Sequence, residues 1–244
     1  MSDSPAPRDA GDAGPGVPVP LLRAERVSKR FGAVLALDDV SFSAPAARVT
    51  CLLGDNGAGK STLIRILSGV FPPTAGRLLL DGREVRFASP RAALAHGMAT
   101  VYQDLALVPL LSVWRNFFLG DEPTTGRGIM RRLDVRHCRT TTIAELASLG
   151  ITITDPEQPV ATLSGGQRQA IAIARALHRG ARVLILDEPT AALGAAQRAL
   201  VLELVRTAKR RGVAVVLITH DRAQADAVAD RRVVLERGRV VATS

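Results

Sequence analysis

Aromatic side chains are scarce, at 3% of 244 residues, and lysine occurs only as Lys29, Lys60 and Lys209. The first scarcity removes the stacking platform on which single-stranded nucleic acids are held. The second leaves a net charge of +9 carried by scattered arginines, with no block of five or six like charges. A solvated arginine-rich surface is therefore expected, with no nucleic-acid partner, despite a pI near 11. Cys51 and Cys138 stand far apart in no metal-ligand spacing, which argues against a disulfide framework or a zinc centre. Cys51, among Val49, Leu52 and Leu53, reads as a small buried hydrophobe. No run of about eighteen apolar residues offers a membrane span. Residues 1–20 carry Pro, Gly, Ala, Asp and Ser without the charged and apolar regions of a secretory signal, and are expected to form a disordered tail. These absences point to a cytosolic protein.

What is present is apolar residue at 47%, ample for a core. Residues 21–46 read as a strand hairpin with Val27, Val40 and Phe42 as inward positions. Residues 48–53 form an apolar run that feeds a Gly-rich turn, and residues 60–70 then take helical spacing through Leu63, Ile66 and Leu67 up to Gly69. A hairpin is expected around Asp81-Gly82, a helix after Ser89-Pro90, and a short strand over residues 98–102. From Gln103 to about Gln158 strand signals fade. Helices are expected over 112–119 and 134–149, with a loop over 121–128 between them. After Ser164 the order becomes helix to His178, strand 183–186, helix 195–210 and strand 213–219, the rhythm of a parallel sheet with covering helices. A helical segment, residues 104–178, is thus expected to be inserted into an α/β core within a domain spanning 21–244.

Three phrases carry chemistry. Gly54-Asp55-Asn56-Gly57-Ala58-Gly59-Lys60-Ser61-Thr62 lies between an apolar run and a helix, the context a phosphate-binding loop requires. Its glycines let the backbone curl close to phosphate oxygens, and its amides and the helix start supply positive field. Lys60 is expected to reach the β and γ phosphates and Ser61 to ligate Mg²⁺. Val183 to Leu186 reads as a strand buried on both faces, so Asp187 emerges at the carboxyl edge of the sheet, where ligands of open α/β sheets bind. Asp187 is expected to hold magnesium through water, and Glu188 to orient or deprotonate the attacking water. His220, after the apolar run 215–219, is either structural or a donor to the γ phosphate as charge shifts there. Gln103, at the end of strand 98–102, has the same placement and an amide able to reach both metal and water. The third phrase, Leu163-Ser164-Gly165-Gly166-Gln167, is needed by neither task inside one chain. It is expected to cap a helix and to present amides to a phosphate held by a second molecule.

In that order the phrases resemble those of the ATP-binding cassette family, the nucleotide-binding subunits of ABC transporters, over residues 21–244. The resemblance implies an α/β P-loop NTPase (RecA-like) core with an N-terminal antiparallel β-subdomain and an inserted α-helical subdomain. It also implies that Phe31 stacks on adenine, that Gly54 to Thr62 is the Walker A loop, and that Gln103 is the Q-loop glutamine. Asp187 and Glu188 match the Walker B pair, and His220 the switch histidine. Ser164 and Gly166 would contact the γ phosphate on the opposite protomer of a head-to-tail homodimer. The segment 101–109, with 111–120 following, is similar to ATPases of ribose-, xylose- and fructose-type importers. That likeness implies sugar import through a separate transmembrane permease with an extracytoplasmic sugar-binding protein, and a peripheral place on the cytoplasmic side of the membrane. Trp114, Phe117 and Phe118 either line the permease's docking groove or form the small lobe's core. Where many members carry Ser-Ala-Leu-Asp after Walker B, this chain has Ala191-Ala192-Leu193-Gly194, and Gly194 offers no side chain across an interface. Other transporter classes, soluble ABC ATPases and a nucleotide sensor without turnover are the rival readings.

Overall fold

The structure, a computed structural model, describes residues 20–126, 128–191 and 193–244. The expected tail lies outside them apart from Pro20, which already pairs with Pro45. Two long antiparallel strands open the fold, β1 (Pro20–Phe31) and β2 (Val34–Pro45), followed by the fully buried β3 (Val49–Leu53) and by α1 (Lys60–Leu67). Next come β4 (Ala75–Leu80) and β5 (Arg83–Val85), joined through Asp81 and Gly82, both at positive φ as a type I′ hairpin turn needs. Ser89 accepts a hydrogen bond from the Ala92 amide and so caps α2 (Pro90–Ala95), which leads to β6 (Met98–Val101). The following segment holds α3 (Val113–Phe118), the two-residue strands β7 (Thr124–Thr125) and β8 (Arg132–Leu133), α4 (Val135–Ser148) and α5 (Gly165–His178). The chain ends through β9 (Val183–Asp187), α6 (Ala195–Arg210), β10 (Ala214–Ile218), α7 (Arg222–Val228), β11 (Arg231–Glu236) and β12 (Arg239–Thr243).

Two sheets result. One is antiparallel, in the order β2-β1-β4-β5; the other runs β12-β11-β3-β10-β9-β6, with parallel pairing from β11 to β6. Each central strand of the second sheet is apolar on both sides, and alternate residues serve two different cores. Leu52, Ile185, Val216 and Ile218 face α1 and the antiparallel sheet, where Val27, Val40 and Phe42 point inward as expected. Cys51, Leu184, Leu186, Val215 and Leu217 face α5 and α6 and run continuously into the helical segment. Burial pushes the Cys51 thiol up to about 12, so it stays a neutral, packed side chain.

Of the two readings left open for Trp114, Phe117 and Phe118, the structure takes the core one: they are 1%, 1% and 3% exposed. A short helix can bury adjacent positions when helices close over both of its flanks, and α3 packs on both α4 and α5. Residues 121–128, expected as plain loop, contain β7, which pairs with β8. The C-terminal α7, β11 and β12 were not expected, although the alternation at Val233 and Leu235 before Arg237-Gly238 carries a hairpin signal.

Asp230 joins three elements ahead of β11. Its carboxylate accepts from Lys209 Nζ at 2.6 Å, the Val49 amide at 2.8 Å and Arg48 at 3.2 Å. Burial alone would push its pKa up, but Lys209, the Val49 amide and Arg48 together hold it below the usual carboxylate range. A depressed carboxylate stabilises the fold above the unfolded value near 3.9 and loses that contribution as pH falls through the folded value. Asp230→Asn should therefore lower stability at pH 7 by about 1 kcal/mol. In thermal melts the gap from the parent should close below about pH 4; a gap constant with pH would contradict the charge-based account.

Candidate functional site

The site is built at the carboxyl ends of β3, β9 and β10, where the loops from neighbouring parallel strands converge. β3 runs into the Gly-rich loop, and that loop turns directly into α1. Gly59 starts the helix at φ +105, and a Cβ there would lie 2.8 Å from the Ala36 carbonyl oxygen, so any other residue is excluded twice over. Lys60 is 9% exposed and folds back over the loop, donating to the carbonyls of Gly54 at 2.6 Å and Asp55 at 3.0 Å. Ser61 is exposed at the first turn of α1. Together these residues line a cavity of about 570 Å³.

Asp187 and Glu188 reach the same cavity from the end of β9. Burial first, and then the neighbouring Glu188 charge, raise the Asp187 carboxyl above its ordinary range, against the pull of Lys60 and Arg65. Glu188 has a left-handed backbone, φ 49, and its amide donates to the Ile218 carbonyl of β10 at 3.1 Å. Non-glycine residues in this conformation cost of order 1–3 kcal/mol and persist where surrounding contacts hold them. The pairing of Ile218 with Asp187 sets β9 and β10 in register, so the residues after each strand leave together. That register brings His220 Nδ1 to 2.9 Å from Glu188 Oε1 across 32 residues of sequence. His220 itself is exposed.

The structure thus gathers Asp55, Asn56, Gly57, Ala58, Gly59, Lys60, Ser61, Thr62, Gln103, Asp187 and Glu188 around one cavity, with His220 touching Glu188. Gly54 contributes its carbonyl to Lys60. Phe31 stands just outside the lining, paired with Val34, which is within it. Its ring is 46% exposed and packs edge-on against Phe71 at 5.4 Å. Residues 163–167 lie apart from this cavity. Ser164 caps α5 in a reciprocal box: its hydroxyl accepts from the Gln167 amide at 3.3 Å, and the Gln167 side chain accepts from the Ser164 amide at 3.0 Å. Gly166 sits in a tight contact: a Cβ there would lie 3.0 Å from Gln197 Cβ on α6, which would have to yield slightly to admit it. Gly194 caps α6 without a side-chain bond. Sequence reasoning missed Val34, Leu35, Ala36, Arg237 and Gly238 in the cavity wall; the signal for the last two was the Arg-Gly turn.

The oxygen donors here are a hydroxyl, an amide and two carboxylates. Among the described residues no group of three or more His, Cys, Asp or Glu side chains could hold a metal by itself. That set suits Mg²⁺, which keeps several waters and is shared with substrate phosphates, and not a dedicated protein cage. A phosphate-cradling loop, a cation beside it and two carboxylates at the next strand end define a P-loop nucleoside triphosphatase.

Comparison with known proteins narrows the class. The family profile for ABC transporters matches residues 37–191, more than half of the chain. The chain belongs to the ABC transporter family. It is 46% identical to the xylose/arabinose import ATP-binding protein of Sulfolobus acidocaldarius, over 91% of this chain and 86% of that one. It is 45% identical to the fructose import ATP-binding protein of Rhizobium meliloti, over 87% and 83% of the two chains. Among solved structures, the ADP conformation of an ATP-binding cassette of an ABC transporter superposes with a TM-score of 0.82 at 24% identity, over 93% of this chain and 91% of that one. No helix of the described residues is long and apolar enough to cross a membrane.

Proposed function

We propose that this chain is the ATP-binding and ATP-hydrolysing subunit of a sugar importer, acting as a homodimer beneath a separate membrane permease. The observation that carries the hydrolytic part is Glu188, aimed by His220 at the strand end beside the Lys60 loop. The sugar part is supported by the two import relatives, and with it come an extracytoplasmic sugar-binding protein and a place on the cytoplasmic face of the membrane.

In this reading the loop amides and the α1 N-terminus hold the phosphates, and Lys60 leaves its two carbonyl partners to reach the β and γ oxygens. Phe31 stacks on adenine. Ser61, Gln103 and, through water, Asp187 would hold Mg²⁺, which would neutralise charge on the phosphates. Glu188 takes the proton of the attacking water, and His220 both orients Glu188 and donates to the phosphoryl oxygens. Ser164 and Gly166 of a second copy complete the γ-phosphate contacts. Phosphate contacts then favour the closed pair and their loss on hydrolysis reopens it, which is the differential stability that can drive a permease between states. With Trp114, Phe117 and Phe118 buried, the permease falls to the exposed apolar residues Val108, Leu110 and Leu119 around α3, of which Leu110 is 84% exposed.

The test is reconstitution. The purified protein should release inorganic phosphate from Mg-ATP. Joined in vesicles with a pentose or fructose permease and its binding protein, it should support uptake only with ATP on its own side. Absence of phosphate release would end the ATPase reading. Phosphate release without uptake of any pentose or hexose would end the sugar assignment alone.

A further inference from the structure

The turn between β11 and β12 departs from the chemistry such turns favour. Glu236 pairs with Arg239, so Arg237 and Gly238 form a two-residue hairpin loop, with φ of 46 and 78. The first position of such a loop prefers Asn, Asp or Gly, because other side chains are strained at positive φ. The hairpin of β4 and β5 keeps that preference with Asp81-Gly82, at φ 52 and 73. Nothing in the turn itself favours an arginine, and residues that defy local preference are expected where function retains them.

The turn is fastened to the phosphate loop. Gly238 donates its amide to the Ala58 carbonyl at 2.9 Å, and its own carbonyl accepts from the Asp38 amide of β2 at 2.8 Å. A Cβ at Gly238 would lie 2.8 Å from the Ala36 carbonyl oxygen, so the approach leaves no slack. Arg239 is occupied, with its Nε donating to Asp38 at 2.9 Å. Arg237 differs. It is exposed, makes no ion pair or side-chain hydrogen bond among the described residues, and lines the nucleotide cavity. Of the side chains around that cavity only Lys60 and Arg237 are cationic, against the carboxylates of Asp55, Asp187 and Glu188.

Strand order decides which part of a nucleotide Arg237 would meet. The strand ends run β11, β3, β10, β9, β6, so Arg237 and Glu188 stand on opposite sides of the phosphate loop. Three interstrand spacings separate the two strands, about 14 Å. A triphosphate whose γ end lies at Glu188 therefore has its α end toward β11. Val34, Leu35 and Ala36 line the cavity on that side too, beside Phe31 and against Gly238.

We propose that Arg237 is a second phosphate-binding cation, pairing with the α-phosphate of bound ATP or ADP while Lys60 serves the β and γ groups. The assignment deepens the ATPase reading given above and rests on it. A guanidinium presents a planar fork of donors matched to two phosphate oxygens, and it stays charged at any working pH. Hydrolysis leaves the α-phosphate unaltered, so this contact is the same before, during and after the reaction. Arg237 therefore adds affinity without changing the chemical step.

The experiment uses Arg237→Asn, which removes the cation and suits the turn better than arginine does, with Arg237→Lys beside it. Affinities for Mg-ATP and Mg-ADP are measured by calorimetry at low and high salt, together with steady-state phosphate release. For Arg237→Asn both affinities should fall by the same factor, about tenfold, the scale of one charge-assisted hydrogen bond. KM should rise likewise with kcat little changed, and the loss should shrink at high salt. Arg237→Lys should keep part of the affinity, and the thermal midpoint of Arg237→Asn without nucleotide should equal or exceed the parent's. Parent-like affinity for both nucleotides would overturn the proposal. So would a loss confined to ATP, which would place the contact at the γ-phosphate, or a fall in kcat at unchanged affinity. An equal loss in both variants with a lowered thermal midpoint would mark a purely structural role and overturn it as well. A parent that binds no nucleotide would overturn the ATPase reading itself, and this assignment with it.

Discussion

Replacing Glu188 with Gln is expected to cut phosphate release about 10²–10⁴-fold, the usual contribution of a positioned general base. ATP binding should survive, because no phosphate contact is removed. Gln keeps the size of Glu and can still hydrogen-bond to His220, but it cannot accept the water's proton. The protein should then accumulate as a nucleotide-locked dimer, visible as a doubled mass in gel filtration when Mg-ATP is present and as a monomer when it is not. The strained backbone at Glu188 gives the variant a structural control. The main chain is held by Ile218 of β10, so the thermal melt without nucleotide should change little. Normal hydrolysis by Glu188→Gln would show that another group activates the water.

A second large effect is expected from mixing two inactive variants. Lys60→Ala removes the one cation in the phosphate loop and should abolish ATP binding at its own site. Ser164→Arg leaves that site intact but, on the head-to-tail reading, blocks the capped end of α5, where Ser164 is exposed. Each protein alone should be nearly inactive. In a head-to-tail dimer a random equal mixture makes half of the pairs heterodimers, each with one whole site, so about a quarter of the wild-type sites return. Phosphate release after mixing, unfolding of neither partner being needed, measures this directly. No recovery, or full activity from Lys60-intact protein under strictly monomeric conditions, would remove the shared site.

Much of the chemistry was legible because it is local. Four apolar residues followed by Asp187-Glu188 mark a buried strand ending in two charges, and only the edge of a sheet accommodates that. The phosphate loop was legible for the same reason: its spacing, its preceding strand and its following helix are contiguous. What stayed hidden depends on partners far off in sequence. Adjacent Phe117 and Phe118 carry no period that says which faces of α3 are covered, and only α4 and α5 closing over them decides it. Arg237 looks like any other arginine of an arginine-rich chain until β11 brings it to the wall of the cavity around Lys60. Gly166 shows the two kinds of information together. The sequence marks it as part of a signature phrase, whereas its contact with Gln197 gives it a packing reason inside one chain.

The linear chain alone specified a P-loop ATPase core, the residues here proposed for metal binding and hydrolysis, and the order of most elements, since periodicity and neighbouring chemistry are properties of short segments. Tertiary structure settled that His220 meets Glu188, that the α3 aromatics are core and that Arg237 lines the same cavity as Lys60. Strand register, the direction of burial and the meeting of turns from separate strands arise only when distant segments pack, and no local pattern encodes them.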